Sequence, residues 1–93
     1  MPKFLVVHPP LPAPATLEEV TPLGKKVKAN STLDAYWVRS WLQCNKEGKI
    51  VRLLGCEWNA VDAESIRKVL AKVPELRVEG IYPMMIVDSE DFR

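Results

Sequence analysis

The stretch Leu33–Trp58, "LDAYWVRSWLQCNKEGKIVRLLGCEW", decides the fold. Leu33–Cys44 is rich in aromatic and branched side chains, which suit a pleated surface. "NKEG", Asn45–Gly48, has Asn at the first position of a turn and Gly at the last. Ile50–Trp58 then reads as a returning strand, so the two runs predict a β-hairpin.

Downstream, Asp62 is placed to cap a helix. Ala63, Ile66, Val69, Leu70 and Val73 form an amphipathic stripe, and Pro74 stops it. Val78–Asp88 reads as the last strand; Pro83 inside it argues for a sheet edge. Upstream, Phe4–His8 is a compact apolar run that predicts a buried strand, stopped by Pro9 and Pro10. "PPLPAPA", Pro9–Ala15, reads as a stiff, extended connector with polyproline character. Thr16 with Glu19 completes a capping-box pattern. Leu17, Val20, Leu23 and Val27 then share one helical face. Pro22 and Gly24 predict a kink, or a restart with Thr21 as cap and Pro22 as first residue.

The order is βαββαβ in a single domain, residues 1–93. That predicts an α+β, ferredoxin-like fold: a four-stranded antiparallel sheet with two helices on one face. The first and third strands are central in that topology, so Pro83 falls on an edge strand, where it is tolerated.

The 93 residues carry 13 basic and 12 acidic side chains, a net charge of +1. This balance gives no electrostatic footprint for nucleic acid or an anionic membrane. Cys44 and Cys56 do not make a disulfide framework. The apolar run near the N-terminus is too short for a signal-peptide core or a bilayer span. The expectation is a reduced, cytoplasmic protein. No Gly-rich phosphate loop, CxxC or HExxH is present, which disfavours nucleotide, zinc-finger and metalloprotease chemistry.

Two helices on one side leave the other side of the sheet bare. If "NKEG" is a four-residue loop, Cys44 pairs with Lys49, Leu42 with Val51, Ser40 with Leu53, Trp41 with Arg52 and Arg39 with Leu54. This register turns Val38, Leu42, Val51 and Leu53 toward the helices. It leaves Trp37, Arg39, Trp41, Arg52 and Cys56 on the bare face, with Trp41 and Arg52 as a cation–π pair. A three-residue loop would swap the faces of one strand. Tryptophan and arginine are enriched at interface cores. The bare face is therefore expected to pack sheet to sheet in a homodimer, or to enclose a small aromatic or anionic ligand between two copies.

"YWVRSW", "CEW", "DAESI", "VEGIYPMMIVDSEDF" and the opening "MPKFLVVH" resemble small bacterial proteins of the dimeric α/β-barrel superfamily. Within it they resemble uncharacterised families, one branch of which is described as nickel-binding. The resemblance implies sheets paired across a dimer. Many relatives are cofactor-free monooxygenases or isomerases on small aromatic or polyketide-like substrates; others are binding proteins. His8 matches a histidine of the nickel-binding pattern, but Ile66–Val73 lacks the second one, so no multi-histidine metal site is expected within one subunit. A site shared across the dimer from His8, Cys56 and Glu57 is the remaining metal alternative.

His8 would act as a general base if catalytic; a satisfied strand-end histidine is the plainer reading. Cys56 would need a nearby base to become a nucleophile. Asp62 is accounted for as a cap. The leading expectation is a homodimer that binds a small molecule on the bare sheet face through Trp37, Arg39, Trp41, Arg52 and Cys56. The alternative is a cofactor-free enzyme using His8. No cofactor, nucleic acid or membrane partner is expected.

Overall fold

The computed structural model describes residues 1–93. Five strands and two helices follow in the order β1 (Lys3–Val7), β2 (Pro10–Ala15), α1 (Leu17–Asn30), β3 (Ala35–Cys44), β4 (Ile50–Ala60), α2 (Ala63–Leu70) and β5 (Gly80–Pro83). A 3-10 turn, Ser89–Phe92, closes the chain. No helix is long and apolar enough to cross a membrane.

β4 is the hub of the sheet. It pairs antiparallel with β3 along one edge, and with both β1 and β2 along the other. β5 pairs with β1 at the far side. The strand order is β2-β4-β1-β5, with β3 on the remaining edge of β4. This is an α+β fold compatible with the ferredoxin-like arrangement, but the sheet has five strands rather than four.

The extra strand is the proline-rich segment expected to be a connector. Its prolines, Pro10, Pro12 and Pro14, recur at every second residue. Backbone N–H groups alternate between the two edges of a strand, so the missing donors all fall on one edge. The other edge keeps the donors of Leu11, Ala13 and Ala15. β2 pairs with β4 at Pro10↔Arg52 and Ala15↔Ile50, with an irregularity between. β1 and β2 thus lie end to end against β4, interrupted at His8 and Pro9.

α1 begins as expected: Thr16 Oγ1 accepts from Glu19 N at 3.2 Å, and Glu19 Oε1 accepts from Thr16 N at 2.9 Å. It does not restart at Thr21. The Thr21 hydroxyl donates instead to Leu17 O at 2.7 Å, and the helix runs through Pro22 to Asn30. In α2, Asp62 Oδ1 accepts from Ser65 N at 2.8 Å, which confirms the cap. The stripe Ile66, Val69, Leu70 and Val73 is buried against Phe4, Val6, Ala35, Trp58 and Ala60. The last strand is shorter than expected, ending at Pro83, although Met84 N still donates to Lys3 O at 3.0 Å.

The hairpin register differs from the expected one. Asn45 N donates to Lys49 O, and Cys44 pairs with Ile50, so the loop spans five residues; Gly48 takes a positive φ of 78°. Register shifts then fall where β3 has the extra residue Val38, and β4 the extra residues Leu54 and Val51. Each bulge reverses the inside–outside alternation of its own strand.

Candidate functional site

These bulges reassign the expected site residues. Trp37, Ser40 and Leu42 of β3, with Leu53, Cys56 and Trp58 of β4, lie on the covered side of the sheet. Trp37 and Cys56 are therefore not on the bare face. Arg39 and Trp41 do occupy it, opposite Glu57 and Gly55. Arg52 pairs with Gln43 rather than Trp41, so the expected cation–π pair is not formed. Its guanidinium is held by His8 O (2.8 Å, from Nε) and Glu79 Oε2 (3.3 Å, from Nη2).

A cavity of about 400 Å³ lies between α1 and the covered side of the sheet. Leu17, Val20, Leu23, Gly24 and Val27 of α1 form one wall, and the six sheet residues form the other. A Cβ at Gly24 would stand in ordinary contact with Trp37 Cη2, at 3.6 Å. Lys25 and Lys28 also line the cavity. Neither lysine takes part in an ion pair.

At one end of this apolar space the polar groups converge. Trp37 Nε1 donates to Ser40 Oγ at 2.8 Å, and Ser40 Oγ donates to Cys56 Sγ at 2.9 Å. Cys56 Sγ lies 3.3 Å from His8 Nε2, and His8 Nδ1 lies 2.7 Å from Arg77 O. A carbonyl can only accept, so Nδ1 carries the ring proton. Nε2 is then a free lone pair, and the Cys56 thiol donates to it. Every member of the chain has a partner with all groups neutral.

Burial reinforces that protonation state. His8 and Cys56 are both almost wholly buried. Desolvation lowers the imidazole pKa, partly offset by the bond to Arg77 O. Desolvation raises the thiol pKa, partly offset by the Ser40 hydroxyl. His8 was expected at the sheet rim. It lies inside because Phe4, Val6 and His8 alternate onto the covered face.

The bare face carries a separate polar group. Glu57 is buried although no helix covers it. Lys3 Nζ lies 2.5 Å from its Oε2, and Arg39 Nε 3.0 Å from Oε1. The Arg39 contact is off the hydrogen-bonding direction, which leaves Oε1 held by charge attraction alone. Glu57 therefore faces away from His8 and Cys56, and these three do not converge as a metal site within one subunit. No other group of three or more His, Cys, Asp or Glu side chains is placed to hold a metal ion.

Sequence reasoning singled out His8, Cys56 and Trp37, but placed Trp37 and Cys56 together on the bare face and His8 at a strand end. It missed Ser40, which links them. The cue was available only in hindsight of the Val38 bulge, which puts residues 37 and 40 on one side.

In comparisons with known proteins, no family model matches the chain, and neither a curated protein nor a solved structure matches it.

Proposed function

We propose that this protein binds a small, largely apolar molecule in the cavity between α1 and the sheet, and that it works as a homodimer joined through the bare sheet face. The observation that carries the ligand reading is the cavity itself. Its volume, about 400 Å³, falls in the range of small-molecule sites, and it pairs apolar walls with a few convergent polar groups. The ligand site thus moves from the bare face to the covered one, with Trp37 and Cys56 among its walls. Trp41, Arg39 and Tyr36 remain on the bare face for the partner copy.

A second reading, a cofactor-free isomerase- or monooxygenase-like enzyme, draws on one observation: His8 presents an unprotonated Nε2 at the cavity's polar end. General bases of this kind need a pKa near or below the working pH, and burial supplies it.

The ligand reading is tested with 4-phenyl-2-butanone, an uncharged aryl ketone. Titration should change the fluorescence of the wild-type protein saturably, because Trp37 and Trp58 line the cavity. Leu53→Trp fills the cavity and should abolish the response while the far-ultraviolet spectrum stays native. Equal responses from both proteins, or none from either, would reject the cavity as the site.

A further inference from the structure

We infer that Cys56 and His8 form a nucleophile–base pair that adds the thiol across the double bond of an α,β-unsaturated carbonyl compound held in the cavity. This rests on the ligand reading above and names the chemical class of the ligand. Three observations meet here. The thiol hydrogen-bonds the free Nε2 at 3.3 Å. The Ser40 hydroxyl donates to the same sulfur at 2.9 Å, where it stabilises negative charge as it forms. Lys25 and Lys28, free of carboxylate partners, give the cavity a positive field suited to a developing oxyanion.

The step balances without any co-reactant. His8 Nε2 takes the Sγ proton, and sulfur forms a bond to the β-carbon. The carbon–carbon π pair moves toward the carbonyl oxygen as an enolate. The imidazolium then returns its proton to the α-carbon, leaving a saturated thioether. Nothing is oxidised or reduced. A buried thiol is a poor nucleophile alone, since desolvation disfavours the thiolate. Transfer to His8 avoids a free thiolate, which is why the base is needed.

The His8 ring meets Cys56 Sγ of β4 and Arg77 O; Ser40 and Trp37 of β3 and Lys25 and Lys28 of α1 line the same cavity. Arg52 Nε donates to the His8 carbonyl, and Arg52 Nη2 to Glu79 Oε2.

The experiment compares benzylideneacetone with its saturated counterpart, 4-phenyl-2-butanone, on the intact protein. Peptide mapping by mass spectrometry separates Cys56 from the exposed Cys44, which serves as an internal reference. The expected result is an adduct at Cys56 whose rate is flat between about pH 7.5 and 8.5, because the thiol–imidazole pair reacts as a unit. Free cysteine in the same reaction should react about fivefold faster over that interval as its thiolate fraction grows, its pKa being about 8.5. His8→Gln should slow Cys56 by about 100-fold and leave Cys44 unchanged. Wild-type pH profiles alone decide the matter if that variant does not fold. Binding of the saturated ketone without an adduct at Cys56 would overturn the thiol chemistry and leave the ligand reading standing. A Cys56 rate that climbs with pH as that of free cysteine does would overturn the role of His8. Failure of both ketones to bind would reject the ligand reading itself.

Discussion

His8 shows how one residue couples the site to stability. Its pKa in the folded protein lies below the ordinary 6.5 because burial disfavours the charged ring. The unfolded chain therefore binds a proton that the folded one refuses, in the window between the lowered pKa and 6.5. Stability contributed by the neutral ring is complete above that window and is lost as pH falls through it. Urea midpoints of the wild type should fall between pH 7 and pH 5 more steeply than those of His8→Gln, which has no ring to protonate. Parallel slopes would mean that the ring does not resist protonation. Glu57 gives a second test. Glu57→Gln keeps the shape but strips Lys3 and Arg39 of their counter-charge, at a cost of about 1–3 kcal/mol. Lys3 and Arg39 side chains are 34% and 66% exposed, so both can rehydrate and the lower end of that range is expected. An unchanged urea midpoint would show that the triad does not stabilise the monomer.

The elements were legible where one period ran unbroken. Both helix caps and the α2 stripe follow from local chemistry, and the structure reproduces them. β2 was missed because the prolines were counted rather than placed. Their spacing of two leaves one edge able to pair, and only β4 alongside makes that edge useful. The hairpin failed for a different reason. Period-two reasoning assumes a continuous pleat, and Val38, Val51 and Leu54 each insert one residue into it. Nothing local marks those positions, because the bulges are set by pairing between distant residues. Hence Trp37 and Cys56 were assigned to the wrong face, while Arg39 and Trp41 kept the expected one. α1 offers a test on the element scale. Gly24 sits inside the helix, and an added Cβ would make ordinary contact with Trp37 at 3.6 Å. Gly24→Ala should raise stability by about 0.5–1 kcal/mol through helix propensity. It should also weaken 4-phenyl-2-butanone, since the new methyl group narrows the cavity. A lower urea midpoint would mean that the wall tolerates no extra atom.

At the scale of the molecule, the single chain is too exposed for its size. Its accessible surface is 6449 Å² at 10.5 kDa, against about 5,400 Å² for a compact monomer of this mass. The excess of about 1,000 Å² matches what each partner contributes to a standard protein interface. The shape gives the reason: the molecule is a slab of 39 × 34 × 19 Å, with helices on one side only. The uncovered side holds Trp41, Tyr36 and Tyr82, and the C-terminal segment adds Met85, Ile86, Val87 and Phe92, all exposed. A second copy laid sheet to sheet would cover Trp41, Tyr36 and Tyr82 with one symmetric contact. Trp41 stands opposite Gly55 and is 47% exposed, which makes it the natural anchor. Trp41→Asp would bury two uncompensated carboxylates across such an interface. Sedimentation velocity at low micromolar concentration should therefore show a dimer for the wild type and a monomer for Trp41→Asp, with the α1 cavity still binding 4-phenyl-2-butanone in both. A wild type that sediments as a monomer would reject the dimer. A variant that stays dimeric would instead move the contact away from this face, toward the helices or the apolar C-terminal segment.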